Sequence, residues 1–540
     1  MKIGRNQICP LCDSGKKYKK CCGNPLLKKS HLQSLSPSDI PVEAKEFIER
    51  HKANELIREQ QQGLGNRIVS LKDHGHQIVA VGNTLYSSPN WETFPDFLSG
   101  FLKSITTAEW GNAVIKKPFE ERHPILQWYD QYCRYQKLYK INENKISSGP
   151  MIGVVNCYLG LAYNLYLLKH NVELQERFIQ RIKHLDQFQG AYYELIVANT
   201  LIRAGFTLEL EDEVDDTTKH CEFSATSSVT GKKYWVEAKM RVLDGVLGNG
   251  KNTGIKRKKN DPTSRLTAQL KDALNKPADG ERLIFIDVNT PSKNDKTMPD
   301  WINQAIRRLD DKEQNLKKGQ SAYVFVTNVP FHHHLENERV ELAIYAHGLG
   351  MSDFSKPGKK RLTQIYLEKQ KHIDAYNIVE CFRKYPHIPQ NFEGSLSANT
   401  NVERLIIGES YFFKNLSDEG VVGEVIRAIV SEGKKQIYCV VQTQDGKNQI
   451  ITKPMSDEEL EDYNNHPEAF FGKVQHVGKT TEDPYELFEF FISTYKETPK
   501  SCMLELFKEV QDIDYLKSLD DEALLLECCE SLVSRVAYKK

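Results

Sequence analysis

The chain has 540 residues, with 73 Lys and Arg against 73 Asp and Glu and a formal net charge of zero. That balance excludes a strongly basic protein that coats nucleic acid, and 39% hydrophobic with 10% aromatic residues builds more than one core, which excludes disorder throughout. At roughly 100–200 residues per domain the length predicts about three or four domains. Zero net charge leaves room for a local basic groove, because steering depends on where charges sit.

Twelve cysteines would suggest disulfides in a small secreted chain. The N-terminus, however, is polar and already carries Cys9 and Cys12, with no basic-then-apolar leader, so a reducing, cytoplasmic setting is expected. Met151 to Leu168 approaches membrane-spanning length but contains Gly153, Asn156, Gly160, Asn164 and several Tyr. It is expected to be a buried core helix, with no membrane contact.

In chain order, residues 1–25 form a Cys- and Lys-rich module, and Ser30 to Pro41 is a Ser/Pro-rich linker into a helix over Val42 to Gln62. Residues 42–188 read as mostly helical, with a strand at Gln77 to Val81 and amphipathic patterns over 92–108 and 155–185. Residues 189–335 alternate helix and strand, and 336–402 read as a connecting region of helix and loop. A small β-rich domain is expected over 403–480, from runs such as Leu405 to Phe413 and Gln436 to Thr443. Residues 481–540 are acidic C-terminal helices: 481–530 hold 14 acids against 4 Lys, the solvated face of a helical hairpin.

Two segments carry chemistry. In the first, Cys9 and Cys12 stand two residues apart, and Cys21 and Cys22 follow after one short Lys-rich loop. Four soft ligands can surround one Zn2+, and a closed tetrahedral site supplies folding energy to a segment too short to bury a core. The adjacent Cys21-Cys22 pair is also open to reading as a redox dithiol. The run Ser14-Gly15-Lys16-Lys17-Tyr18-Lys19-Lys20-Cys21-Cys22 resembles the SEC-C motif, the zinc module found at the C-terminal tail of the secretion ATPase and on many bacterial proteins. The resemblance covers residues 4–23 and implies that Cys9, Cys12, Cys21 and Cys22 hold a structural zinc. It also implies a tether that docks proteins or ribosomes. The departure from the family pattern is local: Pro10 and Leu11 separate the first two cysteines, and Asp13 follows. Six Lys and Arg against one Asp in residues 2–23 would also suit a phosphate backbone.

In the second, Gly190 to Phe206 reads as a helix with Ala191, Leu195, Ala198 and Ile202 on its buried face and Glu194 on or beside that face. Strands are expected at Phe206 to Leu210, His220 to Thr226 and Lys233 to Arg241, the last two as a hairpin. Strand alternation puts Glu237 and Lys239 on one face, and the facing strand could bring Glu222 to the same edge. Carboxylates beside an ammonium suit a divalent cation and an activated water. Glu222 and Glu237 would hold Mg2+, which prefers oxygen ligands, and Lys239 would orient or deprotonate the attacking water while its own pKa falls beside the metal.

A loop from Leu247 to Asn260 follows, with Lys251, Lys256, Arg257, Lys258 and Lys259 suited to a nucleic-acid backbone. A helix is expected at Thr263 to Asn275, a strand at Arg282 to Val288, a helix at Pro299 to Asp310 and a strand at Ala322 to Thr327. The order αβββαβαβ resembles the PD-(D/E)xK nuclease superfamily over roughly residues 185–330. By that resemblance Glu194 is the helix acid, Glu222 the first motif acid, Glu237 and Lys239 the E-x-K pair, and Gln269 the polar residue of the following helix. Cys221 stands where the family has Pro, and Glu222 where it commonly has Asp.

His332-His333-His334 reads as a polar strand-end loop, since adjacent histidines diverge, and Cys528-Cys529 as buried helix positions. No P-loop, Rossmann glycine loop or Gly-x-Ser-x-Gly elbow occurs. The expected fold class is therefore α/β and multidomain: a restriction-endonuclease-like mixed sheet flanked by helices, with an N-terminal zinc knuckle, a helical region, a β-rich unit and acidic C-terminal helices. The expected function is a Mg2+-dependent nuclease acting on nucleic acid, DNA first, in a setting such as anti-phage defence. The alternative is a non-catalytic zinc-containing adaptor whose nuclease-like core binds nucleic acid or a protein.

Overall fold

The computed structural model describes residues 17, 41–139, 149–210, 222–243, 245–247, 261–293, 297–356, 358–396, 404–414, 420–475, 481, 483–508 and 512–537. The four motif cysteines and the loop cations Lys251, Lys256, Arg257, Lys258 and Lys259 lie outside the described residues. Two compact units divide the chain: Leu56–Val402 with Val477–Lys540, and Met1–Glu55 with Glu403–His476.

The first helix, α1 (Val42–Gln62), has the bounds expected from the sequence. An antiparallel meander follows, made of β1 (Val69–Asp73), β2 (His76–Val81) and β3 (Thr84–Ser88). Its first turn places Gly75 at φ +78, a region that L side chains rarely adopt. The helix α2 (Phe94–Thr106) opens on a Thr93/Asp96 capping box and buries Phe94, Phe97 and Phe101 at helical spacing. Next come α3 (Ala108–Ile115), α4 (Pro124–Tyr139) and α5 (Gly153–Asn171).

Every residue of α5 from Gly153 to Leu168 is buried, as a core helix requires. Its Asn164 donates to the Tyr385 hydroxyl at 3.0 Å and accepts from Asn199 at 2.8 Å, so the polar group that argued against a lipid neighbour is satisfied inside protein. Among the described residues no helix is long and apolar enough to cross a membrane.

After α6 (Glu176–Lys183) and α7 (Leu185–Arg203) comes a six-stranded sheet: β4 (Phe206–Leu210), β5 (Phe223–Ser227), β6 (Lys233–Met240), β7 (Arg282–Asp287), β8 (Ala322–Asn328) and β9 (Ala343–Leu349). The strands lie in sequence order. β4, β5 and β6 are antiparallel, β6 to β8 are parallel, and β9 returns antiparallel to β8. Each parallel step needs a crossover, and α8 (Leu266–Leu274) and α9 (Asp300–Glu313) supply them. One sheet face, with Val236, Ala238, Leu283 and Phe285, joins the core built by α5 and α7, while Ile284, Ile286, Val324 and Val326 pack with Leu270, Trp301 and Leu309 of α8 and α9. This is a mixed sheet between helical layers in the expected order. It reaches past residue 335 to Leu349, and its core is continuous with that of the helices before residue 188.

Beyond the sheet, α10 (Leu362–Lys371) and α11 (Ile373–Arg383) follow. Asp374 of α11 accepts hydrogen bonds from Ser227 (2.6 Å), Thr230 (2.5 Å) and Tyr234 (2.8 Å), which ties the β5–β6 turn to the helical layer. In the other unit β10 (Ser410–Phe413), β11 (Val421–Ser431), β12 (Gln436–Thr443) and β13 (Asn448–Pro454) form an antiparallel sheet, followed by α12 (Asp457–Asn465). The C-terminal helices α13 (Pro484–Tyr495), α14 (Lys500–Leu506), α15 (Ile513–Ser518) and α16 (Asp521–Ala537) close small apolar cores around Phe488, Met503 and the buried Cys528 and Cys529.

Candidate active site

The β5–β6 ladder pairs Phe223 with Val236, and the Glu222 amide donates to the Val236 carbonyl at 3.0 Å. Glu222 therefore sits beside Glu237 across the hairpin, and alternation along β6 keeps Lys239 on the same face. The Lys239 ammonium lies 2.9 Å from Glu222 Oε1 and 2.5 Å from Glu237 Oε1. A second ammonium, Lys276 just past α8, stands 2.8 Å from Glu237 and 3.6 Å from Glu222. Glu237 is 1% exposed, a position a carboxylate tolerates only with such partners. Two carboxylates and two ammoniums thus neutralise one another.

Protonation follows from this packing. Burial works against the Lys239 ammonium, but Glu222 and Glu237 outweigh it and hold its pKa above the ordinary lysine value. Without a metal, Lys239 is a fixed positive charge rather than a base. Burial raises Glu237 despite Lys239, whereas at Glu222 burial is overcome by Lys239 and Lys276 and the carboxyl sits below its usual range.

Glu194 projects from α7 and is gripped by Arg181 of α6 through both carboxylate oxygens, at 2.9 and 2.6 Å. Burial and then the nearby Glu222 push it up to about 7, against the pull of Arg181 and Lys239. It is within electrostatic reach of the hairpin acids. Gln269 donates to the carbonyl of Met240 at 3.4 Å, one residue beyond Lys239. It touches backbone next to the cluster. A small cavity of about 20 Å3 is bounded by Arg181, Glu194 and Glu222. A larger cleft of about 440 Å3 runs along α6, lined by Arg177, Gln180, Arg181, His184, Gln187 and Glu222.

Three cations were missed in the sequence. Lys276 has no local signal, since only the α8 crossover brings it back over β6. Arg177 and Arg181 were legible only as the basic positions of α6, whose chain sequence Glu176 to Lys183 places apolar Phe178, Ile179 and Ile182 on one side. Among the described residues, the group of three potential metal ligands gathered within 4.8 Å is elsewhere: Asp310, Glu313 and His347. Glu194, Glu222 and Glu237 do not gather that closely.

The histidine run folds as a single turn at the end of β8. His332 and His333 both donate through Nε2 to Asn289 Oδ1, at 2.8 and 2.9 Å, and His334 Nε2 accepts from the Ser292 amide. Burial pushes the Cys528 and Cys529 thiols up to about 11 and 12, which leaves them inert.

The family model of the SEC-C motif matches residues 5–24. No curated protein matches the chain, and no solved structure does. The chain thus carries a SEC-C-like motif near its N-terminus and, in the larger unit, a mixed sheet flanked by helices that is consistent with a restriction-endonuclease-like superfamily.

Proposed function

We propose that this chain is a Mg2+-dependent nuclease of the PD-(D/E)xK type, hydrolysing phosphodiester bonds with DNA as the preferred substrate. The observation that carries the reading is the convergence of Glu222 and Glu237 on Lys239 across one hairpin, next to a parallel strand and its crossover helix. The donor set suits the ion: two carboxylates, with no sulfur or imidazole among them, are hard oxygen ligands for Mg2+. Glu222 and Glu237 would hold it. Bound there, the metal supplies Lewis-acid stabilisation and a more acidic water.

The chain's own groups do the rest. Lys239 orients the attacking water and offsets negative charge developing on the phosphate. Arg181 fixes Glu194 against the hairpin, and with Arg177 and His184 it lines a cleft that suits a phosphate backbone. Gln269 steadies the end of β6 through the Met240 carbonyl. Lys251, Lys256, Arg257, Lys258 and Lys259 add further phosphate contacts. In the N-terminal segment Cys9, Cys12, Cys21 and Cys22 hold a structural zinc, and the module recruits the enzyme to a protein or a ribosome; this rests on the family match alone. A restriction-like or anti-phage setting rests on analogy with fused bacterial nucleases.

One observation favours a second reading, a non-catalytic adaptor: Lys239 and Lys276 already neutralise both carboxylates. Cleavage of DNA with and without Mg2+ separates the two. Wild type should cut only with Mg2+, and Glu237→Ala and Lys239→Ala should each lose about 100-fold or more, the scale of a missing electrostatic or acid–base group. Equal activity in all three chains removes the enzyme.

A further inference from the structure

We propose a second metal site, distinct from the hairpin acids, in which Asp310, Glu313 and His347 bind a transition dication and clamp the edge strand β9 to α9. Asp310 and Glu313 stand three residues apart, on one face of α9. His347 lies opposite on β9, in register with Val324 of β8, so its ring points to the same sheet face as the α9 core. One ligand atom from each of the three falls within 4.8 Å of the others.

The imidazole is what points to an ion. His347 is 2% exposed, and its Nε2 is buried without a hydrogen bond although Glu313 Oε2 is only 3.3 Å away. On the other side of the ring, Nδ1 lies 3.3 Å from the Tyr345 hydroxyl. The pair is close but off the line of a hydrogen bond, so it satisfies that buried ring nitrogen poorly as it stands. A cation between the two turns that opposition into ligation. Burial also holds the imidazole below its ordinary pKa, in the neutral form that coordinates metals.

Charge leaves room for a dication. Among the described residues the ammonium paired to these acids is Lys356, which bonds both oxygens of Glu313 at 2.9 and 2.6 Å and the Gly348 carbonyl at 3.1 Å. Two carboxylates, one ammonium and a neutral ring sum to one negative charge. This differs from the hairpin site, where charges cancel. One nitrogen with two oxygens favours Zn2+ or Mn2+ over Mg2+, which is slow to exchange water for imidazole. Asp310 is exposed and gives the ion a way in. The site is structural: it cross-links the last strand of the sheet, which among the described residues pairs with β8 alone, to the helix that crosses beneath it.

The test uses the full chain, dialysed against micromolar Zn2+ and analysed for bound metal, with the cysteine module present. Asp310→Asn is on the surface and leaves the core intact, and it should remove one zinc from the wild-type count and weaken the affected site about tenfold or more, since even outer-shell changes cost 10–100-fold. Cys21→Ser plus Cys22→Ser should remove a different one. Lys356→Met should tighten Zn2+ binding, because it deletes the competing ammonium, and Zn2+ should raise the melting temperature of wild type more than that of Asp310→Asn. Equal zinc content in wild type and Asp310→Asn, or unchanged affinity in Lys356→Met, overturns the proposal. Loss of nuclease activity at Glu237 has no bearing on either outcome.

Discussion

His123 shows how one side chain can set the acid limit of this molecule. It is 3% exposed and wedged between Trp110 and Phe188, with ring centroids 5.2 and 4.7 Å away. Burial drives its pKa from 6.5 to about 3, so the folded chain keeps it neutral while the unfolded chain protonates it below 6.5. The unfolded state then binds more protons, and stability is lost as pH falls through the window from 6.5 toward 3. At pH 5 the loss is about 2 kcal/mol, from 1.36 kcal/mol per unit. Urea denaturation at pH 7 and pH 5 should show this drop in wild type and little of it in His123→Phe, which keeps an aromatic ring between Trp110 and Phe188. An equal drop in both would assign the acid sensitivity to other groups. His123 itself gave no signal in the sequence, because its burial is created by α3, α4 and α7 together. Glu237 and Lys239 were legible for the opposite reason: a period of two fixes their shared face without any tertiary information.

At the scale of elements the sequence foretold most of the sheet and its helices. β4 has the bounds expected, β7 and β8 differ by one residue at the end, and Asn164 of α5 proved to be an internal hydrogen-bonding group. β5 starts at Phe223 rather than His220, which leaves Glu222 at the strand's mouth, where its carboxylate can turn toward Lys239. β9 was not seen, because Ala343 to Leu349 mixes His347 and Gly348 into a short edge strand that lacks clean alternation. Lys276 was missed for a related reason: the turn after α8 delivers it to β6 through packing and not through pattern. That delivery has a measurable consequence. Glu237 is buried between two ammoniums, so Lys276→Met should leave uncompensated charge and cost about 3–5 kcal/mol without metal. Mg2+ should restore part of it, and melting temperatures with and without Mg2+ should differ more in the variant than in wild type. A loss of stability that Mg2+ does not touch would mean that Lys276 only plugs the site.

For the whole molecule, the two legible motifs imply two separable tasks. The candidate catalytic side chains Glu194, Glu222, Glu237, Lys239 and Gln269 all belong to the unit of Leu56–Val402 with Val477–Lys540. The SEC-C match covers residues 5–24 and none of these positions. The motif was legible because a zinc site of the kind the resemblance implies is encoded within a single short segment, whereas a docking partner would be encoded by surface shape that no spacing reveals. If recruitment and cleavage are separate, losing the zinc ligands should leave the chemistry intact. Cys21→Ser plus Cys22→Ser should therefore bind about one zinc fewer than wild type, by the four-ligand rule, and should cut free DNA in Mg2+ at the wild-type rate. Under the proposed recruitment role, co-purification of a protein or ribosomal partner from cells should be lost in the same variant, as expected of a segment that needs a bound zinc to fold. Zinc retained by the double variant would contradict the ligand set. A matching loss of cleavage on free DNA would show that the knuckle takes part in the reaction instead of delivering the enzyme to it.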